Sequence, residues 1–154
     1  MSSFFFSFSQ KDSLKTIKVK RPYVFEIADF YSLISNDTSQ LSFISNKYYS
    51  GDKGTVAGKC NNNTPDEVLN FINPDMITQV CFVNGRIQSI KVRFNSDNFM
   101  KRSVILSQLE EAKFTAGMIN KSSVMISTEY INSNKTLFIE TKCKEDDVVF
   151  IRFN

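Results

Sequence analysis

Between Thr78 and Phe94 the chain reads T-Q-V-C-F-V-N-G-R-I-Q-S-I-K-V-R-F, and few structures accommodate that order. Asn84-Gly85 suits the positive φ angles of a two-residue type I′ turn, with β-branched and aromatic residues on both sides. The stretch predicts a β-hairpin. A two-residue turn sets Cys81 opposite Gln88, which places Ile77, Ile90, Val92 and Phe94 on the same face as Cys81. The other face then carries Val80, Phe82 and Ile87 near the turn, with Thr78, Lys91 and Arg93 farther back. The first of these faces is expected as the core side.

Downstream, Ser96-Asp97 precede a helix expected to run to about Ala116, with Ile105, Leu109, Ala112 and Ala116 in one stripe. Gly117 suits the left-handed position just past its end. Val124 to Ile131 and Thr136 to Cys143 predict a second hairpin around Asn132-Ser133-Asn134, and Val148 to Phe153 completes a meander. Apolar residues there alternate with Glu140, Lys142 and Lys144, so one face of this sheet is expected to meet solvent.

Upstream, Lys15 to Arg21 alternates like a half-exposed strand, and Ile27, Phe30, Tyr31 and Ile34 recur at helical spacing. Leu41–Ile44 and Lys47–Tyr49 are expected as paired strands, and 50–63 as a long loop, functional or mobile. Thr64-Pro65-Asp66-Glu67 has the form of a capping box and predicts a short helix ended by Asn73-Pro74. Helices interrupting antiparallel strands without regular βαβ alternation define an α+β class: a mainly antiparallel sheet carrying two or three helices. Residues 1–14 are expected as a flexible N-terminal arm and 15–154 as one domain, with no sequence repeat to divide it.

Composition narrows the chemistry. Fifteen Phe and no Trp supply bulky core filling without polar handles. No His occurs, which removes the commonest general acid/base and the commonest metal ligand. A formal net charge of +3 is mild for a dedicated DNA-binding domain. Cys60, Cys81 and Cys143 make an odd set without a C-x-x-C pair, so they are expected as small buried hydrophobes in a reducing compartment. No secretory leader or membrane-length apolar run is evident, and a cytoplasmic protein is the expectation.

Motif tests mostly fail. Gly54 to Cys60 departs from a phosphate-binding loop: three residues separate the glycines, and Cys60 replaces the metal-binding hydroxyl. Glu145-Asp146-Asp147 reads as a solvated turn. Basic residues gather at Lys15, Lys18, Lys20 and Arg21, and again at Lys91, Arg93, Lys101 and Arg102. Aromatic neighbours Tyr23, Phe25 and Phe94 give those clusters some likeness to a stacking platform for single strands.

The function expected is non-enzymatic: a protein-binding inhibitor or neutraliser, such as an immunity protein against a toxin or an anti-host factor of a mobile element. It would act by steric occlusion, with no cofactor, metal or membrane involved. Tyr48, Tyr49, Phe82, Ile87, Lys91 and Arg93 are the expected partner contacts, mixing aromatic anchors with charge. A nucleic-acid-binding accessory module using the Lys/Arg clusters is the alternative, and an enzyme of unfamiliar, His-independent chemistry the third.

Overall fold

The structure is a computed structural model that describes residues 24–60, 66–95, 100–143 and 147–154. Its elements are α1 (Ile27–Tyr31), a 3-10 turn (Thr38–Gln40), α2 (Leu41–Tyr48), β1 (Thr55–Gly58), β2 (Asp66–Ile72), β3 (Met76–Val83), β4 (Arg86–Phe94), α3 (Arg102–Glu111), β5 (Thr115–Lys121), β6 (Met125–Asn132), β7 (Lys135–Lys142) and β8 (Val148–Phe153). All eight strands join one antiparallel sheet in the order β1-β2-β3-β4-β8-β7-β6-β5. The α+β class with a mainly antiparallel sheet is as expected. The expected N-terminal arm at residues 1–14, the expected strand at Lys15–Arg21 and the first basic cluster lie outside the described residues.

That strand order has an internal logic. Each half of the chain is a helix followed by a four-stranded meander: α2 with β1 to β4, then α3 with β5 to β8. The last strands of the two meanders pair at the centre, Ile90 opposite Phe153 and Val92 opposite Ile151. The entry to each helix is pinned in the same way. Asp37, just before the 3-10 turn leading into α2, bridges to Arg86 at the start of β4, and Lys101, just before α3, bridges to Asp147 ahead of β8. The repeat resides in element order and spacing. The side chains of the two halves differ, which hides it from the sequence.

The helices all lie on one face. Ile27 and Phe30 of α1, Leu41, Ile44 and Tyr48 of α2, and Ile105 and Leu109 of α3 are buried against Met76, Val80, Ile87, Ile90, Val92, Ile151 and Phe153 of the sheet. Phenylalanine fills the centre: Phe30 stacks on Phe25 and on Phe153 with ring centroids 5.1 and 5.5 Å apart, and Phe25 meets Phe94 edge-on at 5.2 Å. Thr78 is fully buried on this side, and its hydroxyl bonds the Tyr49 hydroxyl, so the polar atom is satisfied.

The first hairpin forms where expected, with Asn84 at φ 52° and Gly85 at φ 75° in the left-handed region. Its register differs. Phe82 faces Ile87, but Cys81 faces Ser89, leaving Gln88 as the extra residue of a β-bulge. The bulge turns Val80, Ile87 and Thr78 onto the same buried side as Ile90, Val92 and Phe94. The two faces expected from uninterrupted pairing are therefore recombined. Ile77, Cys81, Lys91 and Arg93 share the opposite side.

Several other expectations are corrected. Residues 41–48 form helix α2, not paired strands, because Leu41, Ile44, Ser45 and Tyr48 fall on one helical face and all are buried. Residues 66–72 form strand β2, not a helix; pairing with β1 on one side and seven register pairs with β3 on the other outweigh the local capping signal. The long loop contains β1, and an unexpected exposed strand, β5, occupies 115–121. Helix α3 ends at Glu111, where Lys113 takes φ 65° and the Phe114 N–H closes on the Leu109 carbonyl at 2.9 Å. Gly117 sits instead in β5, where an added Cβ would meet the Glu129 carboxylate at 2.7 Å.

Candidate functional site

With every described helix on one face, the other face of the sheet is left uncovered among the described residues. Its side chains follow from strand alternation and register. One row across it runs Gln79 (β3), Lys91 (β4), Arg152 (β8), Phe138 (β7), Glu129 (β6), each directly opposite the next. The adjacent row runs Ile77, Arg93, Phe150, Glu140, Ser127.

The centre of this face is a cation–aromatic cluster. The Lys91 ammonium lies 4.5 Å from the Phe150 ring centroid, and the Arg152 guanidinium lies 4.4 Å from that of Phe138. Such contacts hold long cationic side chains down on the sheet and cover the rings that a flat solvent-facing surface would otherwise expose. Towards β1, a shallow groove is lined by Lys59, Gln79, Ser89, Lys91 and Arg152 together with Cys60 and Cys81. Among the described residues, Lys59, Lys91, Arg93 and Arg152 have no carboxylate within ion-pairing distance. Charge is spread unevenly over this face: Lys91, Arg93 and Arg152 on β4 and β8, and Glu129 and Glu140 with Lys142 on β6 and β7.

Cys60 and Cys81 are joined by a disulfide, with Cα atoms 5.8 Å apart. This corrects the expectation that the cysteines are unpaired hydrophobes; Cys143 alone is free, and half-buried. The odd count and the absence of C-x-x-C gave no hint of it. Strand register puts Gly58, Val68 and Cys81 in one row, and the departure of the chain from β1 after Gly58 carries Cys60 across to Cys81.

The six expected contact residues divide between the two sides of the sheet. Tyr48, Tyr49 and Ile87 are core residues, at 3%, 4% and 1% exposure, and Phe82 is half-buried on the helix side against the same core. Lys91 and Arg93 project from the uncovered face. Phe138, Phe150 and Arg152, which join them there, escaped the sequence reading because their placement depends on β8 pairing with β4 across a long separation.

On the helix side, the Tyr48 hydroxyl accepts from the Glu26 N–H at 3.1 Å and donates to the Asp29 carboxylate at 2.5 Å, which also pairs with Lys47 at 2.8 Å. Burial first, and then the bond to Asp29, pushes the Tyr48 phenol well above its ordinary range. Asp147, expected in a solvated turn, is buried and salt-bridged to Lys101 at 2.5 Å. At the start of the long loop, a cleft between α2 and β2 includes one carboxylate, Asp52, among its described lining residues. No group of three His, Cys, Asp or Glu able to hold a metal ion occurs among the described residues, and no described helix is long and apolar enough to cross a membrane.

No family model and no curated protein matches the chain. Among solved structures it is similar to a cysteine-rich secretory protein from Staphylococcus aureus, with a TM-score of 0.47 at 10% identity, covering 79% of this chain and 44% of that one. It is also similar to an extracellular protein containing an SCP domain from Bacillus anthracis, with a TM-score of 0.40 at 8% identity, covering 94% of this chain and 49% of that one. The chain thus spans less than half the length of either. Likenesses at this level place no constraint on what the chain does.

Proposed function

We propose that this chain is a non-enzymatic protein-binding inhibitor or neutraliser that lays the uncovered face of its sheet over a functional surface of its partner. An immunity protein against a toxin and an anti-host factor are the classes that work in this way. The observation that carries this reading is the central cluster of Lys91, Arg93, Phe138, Phe150 and Arg152 on a sheet whose described helices all lie on the opposite side. Strands hold those side chains with little freedom, so little ordering entropy is lost on contact. The aromatic and arginine content suits the core of an interface, and the cations steer an acidic partner into it.

A nucleic-acid-binding module is the second reading, favoured by the unpaired cations on the same face. Two features count against it. Each ring already has a cation over it, which leaves less π-surface for base stacking. Glu129 and Glu140 lie across the path that a polyanion would follow over the sheet.

The Cys60–Cys81 bridge supports an oxidising compartment, since a cytoplasm of the kind expected from the sequence would keep both thiols reduced. Hydrogen exchange on the complex formed with a partner from the native host tests the proposal. Protection centred on β4, β7 and β8 from the uncovered side, persisting in high salt, supports it. A complex with nucleic acid that weakens steeply with salt selects the second reading instead.

A further inference from the structure

The groove at the β1 corner of the uncovered face has an unusual construction. Lys59 reaches it from the end of β1, Lys91 from β4 and Arg152 from β8, while Gln79 and Ser89 lie between them with hydrogen-bonding side chains. Two strand spacings separate β1 from β3, roughly 9–10 Å in an unperturbed sheet. The Cα atoms of Cys60 and Cys81 are only 5.8 Å apart, so the chain after Gly58 leaves the line of β1 and folds over β2. Gly58, at φ 118° beside a bulge in the β1–β2 pairing, permits that departure. The bridge therefore fixes Lys59, its neighbour in sequence, beside two cations from the centre of the sheet.

We propose that this groove binds a carboxylate-bearing segment of a partner protein, and that the Cys60–Cys81 bridge sets the affinity by holding Lys59 in place. The inference rests on the proposed protein-binding role of the uncovered face and adds the chemistry of what is bound. Lys59, just past β1, and Lys91 and Arg152, whose charged ends rest on Phe150 and Phe138, all line one short groove and do not form a stripe. That arrangement fits one or two carboxylates better than an extended phosphate backbone. Arg152 offers a planar fork that takes a carboxylate through two parallel bonds, and Gln79 and Ser89 can donate to the remaining oxygen lone pairs. Lys91 and Arg152, directly opposite on neighbouring strands, repel each other until an anion sits between them.

The test uses the full oxidised chain and a synthetic peptide with two adjacent glutamates flanked by glycine and serine, titrated by NMR. A single-stranded oligothymidylate and inorganic phosphate are run in parallel. The expected result is shifts confined to the amides of Lys59, Cys60, Gln79, Cys81, Ser89, Lys91 and Arg152, with binding weakened about tenfold or more by Arg152→Glu. Lys59→Ser and the double change Cys60→Ser/Cys81→Ser each weaken the peptide, and combining them adds nothing further, because both remove the same cation from the groove. Thermal midpoints of the variants separate this from unfolding, and Lys59→Ser, which leaves the bridge intact, reads the groove even where the double change fails to fold. Shifts outside the groove, additive losses, or an oligothymidylate that binds more tightly than the peptide overturn the proposal. If the native partner is indifferent to Lys59→Ser but lost with Phe138→Ala, the groove assignment falls while the face stands. Indifference to both removes the face as well.

Discussion

Lys91 and Arg152 stand directly opposite each other on β4 and β8, two cations facing across neighbouring strands at the seam of the two meanders. Like charges in that relation destabilise a sheet by about 0.2–1 kcal/mol. Each is partly offset by its contact with a phenylalanine ring. An arrangement that the fold tolerates at a cost, in the middle of this face, accords with the binding role proposed for it.

Lys91→Glu tests that relation. The substitution exchanges a repulsive pair for an attractive one and forfeits the contact with Phe150, terms of similar size and opposite sign. Stability is expected to stay within about 1 kcal/mol of the parent, roughly a 2–4 °C change in thermal midpoint for a domain of this size. Partner binding is expected to fall by about tenfold or more. A large loss of stability would show that Lys91 serves the sheet, and unchanged binding would remove it from the interface.

Phe82→Ala separates the two sides of the sheet. Phe82 is half-buried beside Ile87 on the helix side, so truncation is expected to cost about 2 kcal/mol, short of the 3–5 kcal/mol usual for a fully buried ring. Binding through the opposite face should persist. Chemical denaturation and a binding isotherm on the same preparation check both; lost binding with unchanged stability would return Phe82 to the interface.

The strands of the two hairpins and β8 were legible because alternation, Asn84-Gly85 and the Asn132 to Asn134 turn all act locally. The bulge was not legible, although a trace of it exists. Ile87 and Ile90 are both buried at a spacing of three, which a regular two-residue period forbids, and Gln88 absorbs the difference. Helix α2 was missed although Leu41, Ile44, Ser45 and Tyr48 carry a helical period, since short apolar clusters also suit strands. Strand β2 was missed because a capping signal is local, whereas two flanking strands are not. The candidate site was half legible. Lys91 and Arg93 follow from one hairpin, but Phe138, Phe150 and Arg152 join them only through the β4–β8 pairing, which no local pattern announces.

Gln108 links two parts of the fold that are distant in sequence. Its side-chain amide donates to the Phe25 carbonyl and accepts from the Ile27 N–H, both at 2.8 Å, tying the start of α1 to α3. Gln108→Ala leaves both backbone groups without these partners at a partly buried position, a loss of about 1–3 kcal/mol. Gln108→Glu preserves the acceptor for Ile27 but loses the donor to Phe25, and is expected to fall between the two. Denaturant midpoints give the order, and faster amide exchange at Ile27 in the alanine variant locates the effect. Equal stability for all three proteins would show that water replaces the side chain without cost.

Tyr48 predicts a dependence on pH. Its hydroxyl is shared between the Glu26 N–H, which it accepts, and Asp29, to which it donates. Tyr48→Phe removes both bonds, and a loss of about 1–2 kcal/mol is expected at neutral pH. The folded state holds the phenolic proton more tightly than the unfolded chain, because burial and the neighbouring carboxylate both disfavour the phenolate. A group raised in this way contributes its full stability below the unfolded value near 10, and the contribution drains away as pH climbs above it. The stability gap between the parent and Tyr48→Phe should therefore be constant from pH 7 to about 9 and narrow towards pH 11. Urea denaturation of the pair across that range reads the gap directly. A gap that stays constant to pH 11 would mean that the folded chain holds the phenolic proton no more tightly than the unfolded chain.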